Sequence, residues 1–535
     1  MTSPEPAAAP HSDSGAAPER ESLGMPLVAL IMVAAVANLN LAVANVALPD
    51  IGKSFDSSQT ALNMIAIGFS LGLAASVLYL GALGDRHGRK GLMLLGMVLS
   101  IPASLMAAYA PNEWVLVGAR IFGGVAAGMA FPTTLALITA IWAGSSRTRA
   151  IALWSAVGGG VMALGPLVSG ALLESFWWGS VFLITLPLAV IALLLGAKFV
   201  PAHLDESTQP VDNIGGVLSI VMVAALVIGI NFAPVPGALP FALALAGITV
   251  VAGALFVVRQ KRAPNPLYDL DYAKRRVFWV AALGGIIVFG SLMASMFVGQ
   301  QYLQNVLALS TFEAGAVPLS ITAGMLAVAG LSAKLVESRG SRFTLLSGFL
   351  FIMISFTLML VVWTETTSIP VVVFTYLMAG IGVGLAGTPA SHSLTSSVPT
   401  DRAGMASATA DLQRDLGGAI LQAILGALLT AGYAASFASL VAQAPQQVSQ
   451  DVLAQLQKSF SSATTLAEQY PEYSNQIVEA AKQSFLTGAN WAYTAGLVCA
   501  AVGALVIFFL FPNREDERAL LRRYAEQDNS SIEVM

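Results

Sequence analysis

Apolar runs of about 20 residues recur along almost the whole chain, separated by short polar segments. A helix of that length crosses a hydrocarbon core of about 30 Å. Fourteen runs predict fourteen membrane helices, called spans 1 to 14, at residues 26–48, 60–82, 91–110, 115–142, 149–172, 178–200, 213–233, 238–258, 277–299, 312–336, 343–363, 369–393, 404–435 and 485–512. The pattern predicts an all-α integral membrane protein.

The composition agrees with this pattern and gives no sign of a cofactor. Of 535 residues, 56% are hydrophobic and 10% are charged, whereas soluble domains carry about 25% charged residues. The single Cys499 excludes an internal disulfide and a cysteine metal cluster, and the four histidines have no ligand spacing. We therefore expect no cofactor, no metal site and no nucleic-acid partner.

Basic residues are distributed unequally between the two sides of the predicted bundle. With both termini placed inside, the inner loops and tails hold 21 of the 26 Lys and Arg, whereas the outer loops hold Lys53, Lys458 and Lys482. Inner loops of membrane proteins carry the excess of basic residues. The sequence predicts a multi-pass protein of the cytoplasmic membrane with cytoplasmic N- and C-termini.

Two sequence segments recur in the second part of the chain. "GALGDRHGRKGLMLLG" at 81–96 matches "AKLVESRGSRFTLLSG" at 333–348 with a shift of 252 positions, and glycines 124 and 128 match glycines 380 and 384 with a shift of 256. The repeat equates spans 2 and 3 with spans 10 and 11. Each half then contains six spans, and spans 7 and 8 connect the two halves as a bridge.

The repeat divides the chain into units. We expect a disordered tail at 1–24, a six-helix bundle at 25–200, two linker helices at 213–258, a second bundle at 277–512 with an outer insert at 436–484, and a cytoplasmic tail at 513–535. The insert carries two amphipathic segments, 442–460 and 476–485. They predict either a lid over the outer mouth or a hairpin without a transport role.

The segment "GALGDRHGRK" lies between spans 2 and 3. Glycine permits a tight turn, an aspartate can cap a helix or pair with arginine, and basic residues stay at the headgroups. The segment resembles the loop signature of the major facilitator superfamily, carried here by Gly81, Asp85, Arg86, Gly88 and Arg89. The resemblance implies a conformational role for this loop; the alternative is a positive-inside anchor alone.

Spans 4 and 5 carry two further segments that resemble the same superfamily. In "RIFGGVAAG", Arg120 is a charge inside a span, which faces a cavity or partner or else snorkels to an interface. "GGGVMALGPLVSG" at 158–170 resembles the antiporter element through Gly165, Pro166 and Gly170. Such residues permit close packing and a kink, and the family resemblance implies export.

The fourteen spans, these motifs, "NVALP" at 45–49 and the outer insert together are similar to the fourteen-helix drug:proton antiporters, in particular the quaternary-ammonium and SmvA-like exporters. The resemblance runs from about residue 26 to 512. It implies the major facilitator fold, two six-helix bundles plus two bridging helices, and proton-coupled efflux of drugs, cationic dyes or antiseptics. Small-molecule substrates, protons and the lipid bilayer are the expected partners of a monomer.

The sequence departs from that family in spans 1 and 2. Asn40 stands where the family has an acid and cannot titrate, and Met64 and Phe69 stand where it has a tryptophan and a tyrosine. These changes weaken a broad-cation interpretation. The alternative is export or leaflet transfer of an endogenous lipid, siderophore or natural product. Asn38, Asn40, Met64, Phe69 and Arg120 are expected along the substrate route.

Three charges lie within five positions of span 13, in "ATADLQRDLGG" at 408–418. Asp411 and Asp415 are the only carboxylates deep in a span, roughly 10 and 16 Å from its start. They share one helical face with Arg414, and two close carboxylates favour retention of a proton on one of them.

This arrangement leads to the hypothesis that protonation of the Asp411–Asp415 pair couples proton entry to the inward–outward switch. The alternative is a static ion pair of Asp411 with Arg414. No catalytic cluster, soluble domain or phosphate-binding GxxxxGK[ST] loop accompanies these charges, so an enzyme, a receptor and an ATP-driven pump are not expected.

Overall fold

The computed structural model describes residues 24–142, 144–202, 210–399, 403–443 and 448–533, and these residues form helices joined by short segments, with no strand. Thirteen of the helices are long and apolar enough to cross a membrane. The helix at the remaining span, Gly144–Leu173, has 30 residues. Residues 1–23 of the predicted disordered tail lie outside the described residues. The prediction of an all-α membrane protein is confirmed.

The span helices are numbered α1 to α14 in the order of the predicted spans. They are Gly24–Phe55 (α1), Gln59–His87 (α2), Arg89–Ala108 (α3), Glu113–Ile141 (α4), Gly144–Leu173 (α5), Ser180–Phe199 (α6), Asn213–Phe232 (α7), Leu239–Arg262 (α8), Arg276–Asn305 (α9), Thr311–Arg339 (α10), Ser341–Val362 (α11), Ile369–Ser396 (α12), Ala403–Ala442 (α13) and Ser474–Leu510 (α14). Short helices lie at Leu270–Ala273, Gln450–Lys458 and Phe460–Gln469, and a C-terminal helix of 20 residues lies at Arg514–Glu533.

The sequence repeat is visible in the backbone and in the packing. Gly88 and Gly340, which the repeat aligns, both have positive φ, 104° and 90°, at the turns that separate α2 from α3 and α10 from α11. L side chains rarely adopt such values. A Cβ on Gly124 would lie 2.1 Å from the oxygen of Phe69, and one on its counterpart Gly380 would lie 2.1 Å from an oxygen of α10. Each half therefore packs two of its helices through the same close approach.

Two six-helix bundles and two bridging helices make up the architecture. In the first bundle α2 packs on α4, α3 on α4 and α1 on α5, and in the second α10 packs on α12, α11 on α12 and α9 on α13. The two bundles meet along α2 with α13 and α5 with α10. The bridging helices α7 and α8 pack together, and α7 contacts α2 and α13.

The insert before α14 differs from its predicted outline. It consists of Gln450–Lys458 and Phe460–Gln469, and the predicted amphipathic segment 476–485 forms the first turns of α14. The helix continues there because no glycine or proline interrupts the segment and because Ala481 and Phe485 are fully buried. Residues 444–447 lie outside the described part of the chain.

The C-terminal helix Arg514–Glu533 docks on the second bundle. Arg275, at the start of α9, makes a bidentate pair with Asp528, with N–O distances of 2.5 and 3.1 Å. Its guanidinium carbon lies 4.6 Å from the ring centroid of Tyr272 and 4.7 Å from that of Tyr524. The planar guanidinium suits both contacts.

Candidate functional site

The helical assembly has two ends, and each takes its name from an aspartate at one of the first two connections between helices. The Asp56 end carries the α1–α2 connection and the Asp85 end carries the α2–α3 connection. The sequence predicts that the Asp56 end faces outward.

Buried amide side chains join the bundles at the Asp56 end. The Nε2 atom of Gln59 donates to the Oδ1 atom of Asn63 at 3.1 Å and to the Oε1 atom of Gln301 at 3.0 Å. The Nδ2 atom of Asn63 donates to the Oγ1 atom of Thr430 at 3.1 Å. This network connects α2 of the first bundle with α9 and α13 of the second, so it holds that end closed.

The predicted antiporter element lies at the contact between α5 and α10. The hydroxyl of Thr311 donates to the carbonyl of Gly170 at 3.0 Å. A Cβ on Gly170 would lie 2.2 Å from the oxygen of Thr311, and a Cβ on Gly315 would lie 2.3 Å from the oxygen of Pro166, while Gly165 faces α1. Backbone approaches backbone here, which only glycine permits.

The insert is attached to the same end. Asp56 has a left-handed backbone with φ 49°, and its carboxylate accepts from the Nζ of Lys458 at 2.6 Å and from the hydroxyl of Ser462 at 2.5 Å. The Ser459 hydroxyl donates to the carbonyl of Ser57 at 2.8 Å. The insert of the second bundle therefore lies over the first bundle's α1–α2 turn.

The charges of α13 are arranged differently from the predicted ion pair. Arg414 Nε lies 3.3 Å from Asp415 Oδ1, and the Asp415 side chain is 1% exposed. Asp415 Oδ2 has no hydrogen-bond partner, and Asp411 has no cation within 4 Å, among the described residues. The Arg414 guanidinium carbon lies 5.0 Å from the ring centroid of Phe131 on α4. Arg414 therefore pairs with Asp415, and its guanidinium contacts the opposite bundle.

The packing of α13 on α9 determines which way this cluster faces. Gln413 Nε2 donates to the carbonyl of Ala281 at 3.2 Å, and a Cβ on Gly417 would lie 2.3 Å from the oxygen of Ile286. At 3.6 residues per turn, positions 411 and 415 lie roughly 140° and 180° around the helix from the mean direction of positions 413 and 417, and position 414 lies roughly 80° from it. The two carboxylates are therefore turned away from α9, and Arg414 projects from the side of the helix between them and α9.

Arg120 is directed into the first bundle. It is 2% exposed, and its Nη1 donates to the carbonyl of Asn40 at 2.7 Å and its Nε to that of Ile65 at 3.4 Å. Its guanidinium carbon lies 5.1 Å from the ring centroid of Phe69 and 5.6 Å from that of Phe182. The alternative of snorkelling to an interface is wrong, because the charged group is enclosed by its own bundle.

The other predicted route residues are not gathered around Arg120. Asn38 donates to the carbonyl of Ala34 at 3.1 Å and faces Gly158 of α5. Met64 is 3% exposed in the apolar core. Of the five route residues, Asn40, Phe69 and Arg120 lie together.

The predicted loop motif forms a local ion pair. Arg89 Nε lies 2.7 Å from Asp85 Oδ1 across the turn between α2 and α3, and Arg86 also has an interaction partner. Gly88 is required by its φ of 104°, whereas a Cβ on Gly81 would have no neighbour within 4 Å in the part of the chain that the structure describes.

The polar contacts between the bundles at the Asp56 end were not recognised from the sequence. Asn63 and Thr430 lie inside predicted spans 2 and 13, whereas Gln59 and Gln301 lie one and two residues outside spans 2 and 9, and the four are separated by up to 371 positions. Amide side chains inside or next to apolar runs were the available signal. A buried amide needs hydrogen-bond partners, but the sequence does not identify them.

The model of the Major Facilitator Superfamily matches residues 30–422. The chain belongs to the major facilitator superfamily. It is 35% identical over 406 residues to the multidrug efflux pump LfrA of Mycolicibacterium smegmatis, covering 75% of this chain and 80% of LfrA. It is 29% identical over 497 residues to the methyl viologen resistance protein SmvA of Salmonella typhimurium, covering 90% and 96%. The predicted resemblance to SmvA-like exporters is confirmed.

Solved structures of other transporters share the fold. A bacterial homolog of the human lysosomal transporter Spinster, in an inward-facing and unoccupied conformation, superposes with a TM-score of 0.63 at 14% identity, covering 94% of this chain and 98% of that chain. A POT family transporter in complex with 5-aminolevulinic acid gives a TM-score of 0.61 at 14% identity, covering 90% and 96%. The predicted major facilitator fold is confirmed.

Proposed function

We propose that this major facilitator protein is a secondary active transporter, not an enzyme, that exports hydrophobic or amphipathic compounds in exchange for protons. Two relatives, a multidrug efflux pump and a methyl viologen resistance protein, support export of drugs and cationic dyes. The relatives do not favour the alternative, an exporter of an endogenous lipid or siderophore. The proposal includes a location in the cytoplasmic membrane as a monomer, with both termini inside.

The proposed proton coupling rests on the surroundings of the Asp415 carboxylate. It is enclosed, its Oδ1 faces Arg414, and its Oδ2 has no partner among the described residues. An enclosed carboxylate with an unpartnered oxygen favours binding of a proton. A proton bound at Oδ2 neutralises Asp415 and weakens its hold on Arg414. Asp411, one turn away, is the second acid of the relay.

The contact of Arg414 with Phe131 links the charge of this cluster to the arrangement of the bundles. In the observed state the Asp56 end is closed by hydrogen bonds between the bundles, so the state faces inward if that end is the outer one. Weaker attraction between Asp415 and Arg414 changes the position of the guanidinium over the Phe131 ring. Protonation in this way alters the balance between the two states.

The test is transport of a cationic dye into inside-out membrane vesicles. Ethidium uptake should follow an imposed pH gradient, stop when nigericin collapses it, and fall at least tenfold in Asp411→Asn with Asp415→Asn. Asp451→Asn, an exposed carboxylate of the insert, is the matched control and should transport as the wild type does. Uptake that persists without a gradient would contradict proton coupling.

A further inference from the structure

A small cavity lies inside the first six-helix bundle beside Arg120. Its volume is about 20 Å³, which is room for about one water molecule. It is lined by residues of α1, α2, α3, α4 and α6, among them Asn40, Phe69, Ser104 and Phe182. It is separate from the charged cluster of α13 and has no part in the proposed proton relay.

Arg120 brings a positive charge to this cavity without a counter-charge. None of the lining residues is acidic, and no carboxylate pairs with Arg120 within the described residues. Its Nη1 and Nε donate to the neutral carbonyls of Asn40 and Ile65. Its Nη2 has no hydrogen-bond partner among those residues. An enclosed, unpaired charge is costly, so a compensating anion is expected.

The lining hydroxyls and amide do not offer that compensation. Ser100 Oγ donates to the carbonyl of Met97 at 2.8 Å, and the hydroxyls of Ser104 and Thr185 lie 3.0 Å apart. The side-chain amide of Asn40 donates to Val36 of its own helix at 3.0 Å. The free donor in the cavity is therefore the Nη2 group of Arg120.

The second bundle has a matching cavity without a charge. The shift of 256 positions relates Gly123, in the first cavity, to Ala379, in the second, which has a volume of about 10 Å³. The same shift relates Arg120 to Tyr376. Both bundles have the cavity, so the cavity follows from the duplicated fold. Only the first bundle has a guanidinium beside it, so the packing does not require that charge.

We propose that the cavity beside Arg120 binds a small monovalent anion of halide or carboxylate chemistry, which accepts a hydrogen bond from Nη2 and neutralises the guanidinium. The anion is a free ion such as chloride. Asn40 makes room for it, since an acid at that position would itself pair with Arg120 and exclude a second negative charge. The site does not depend on the proposed function.

The test for a free ion is thermal unfolding of the purified protein at fixed sodium concentration and ionic strength in chloride, acetate or gluconate. Chloride or acetate should raise the Tm saturably above its value in gluconate. Asn40→Asp, which supplies an internal counter-charge, should abolish that difference. Asn38→Asp adds the same charge on the same helix outside the cavity and should retain it. Bromide-grown crystals should show an anomalous peak beside Arg120 Nη2.

Two outcomes exclude the anion site. In one, the Tm in chloride or acetate equals the Tm in gluconate. In the other, Asn40→Asp leaves the difference between these anions unchanged. Proton-driven ethidium uptake in the same preparation shows whether the proposed function stands regardless.

Discussion

Gly170→Ala tests whether the contact between α5 and α10 closes the Asp56 end. The added Cβ would lie 2.2 Å from the Thr311 oxygen and 2.8 Å from the Thr311 carbonyl carbon, whereas ordinary contact begins at 3.4 Å. Both atoms belong to the backbone, so no side-chain rotation relieves the overlap. The two helices must separate by roughly 1 Å.

The overlap raises the free energy of the closed state alone, because α5 and α10 are in contact at this end only in that state. Overpacking of this kind costs about 1–3 kcal/mol, and separation of the helices also weakens the 3.0 Å hydrogen bond from Thr311 to Gly170. Since 1.4 kcal/mol is about a tenfold change in an equilibrium, the ratio of closed to open molecules should fall roughly 5- to 150-fold.

The shift from closed to open molecules is measured as a change in the distance between spin labels on the two bundles. Ser175 and Thr366 are exposed residues of the α5–α6 and α11–α12 connections at the Asp56 end. Each is replaced by cysteine in a Cys499→Ala background and labelled. Double electron–electron resonance should show an added long-distance population in Gly170→Ala.

Gly160→Ala is the matched control, because Gly160 lies on the same helix and no atom of the described residues lies within 4 Å of its Cβ position. It should keep the wild-type distance distribution. If Gly170→Ala also keeps it, with an unchanged Tm, then α5 and α10 do not hold that end closed and the reasoning is refuted.

Three further perturbations have expected outcomes. Asp56→Asn removes the charge that pairs with Lys458 of the insert; because that ion pair is partly exposed and is expected to contribute about 0–1 kcal/mol, protease cleavage within 448–473 should accelerate by no more than about fivefold, and a larger acceleration would contradict so small a contribution. Asp528→Asn breaks the bidentate pair with Arg275, so limited proteolysis should release the C-terminal helix about tenfold faster, whereas wild-type protection would contradict the pair. Phe131→Leu removes the ring beneath Arg414; proton-driven ethidium uptake should fall severalfold with the Tm lowered by only a few degrees, and unchanged uptake would exclude a coupling role for this contact.

The sequence predicted the fold well because the repeat and the apolar runs are local patterns. Gly96 and Gly348, aligned at a shift of 252, pack alike: a Cβ on either would lie less than 3.0 Å from an alanine Cβ of the neighbouring helix. The start of α14 was missed because an amphipathic first segment and the apolar run after it form one uninterrupted helix.

The site was predicted less completely because its contacts join distant parts of the chain. Spacing placed Asp411, Arg414 and Asp415 on one face, but side-chain geometry decides that Arg414 pairs with Asp415. The contact of Arg414 with Phe131 depends on how the bundles meet. Sequence spacing on one helix carries no information about that contact.

The measurement that tests the central claim most directly is substrate-driven proton release in proteoliposomes with a lumenal pH dye. Ethidium added against an imposed gradient should change the lumenal pH in the wild type and in Asp451→Asn. The change should be absent in Asp411→Asn with Asp415→Asn, while ethidium still binds. Normal proton movement in that double variant would contradict the α13 carboxylates as the coupling site.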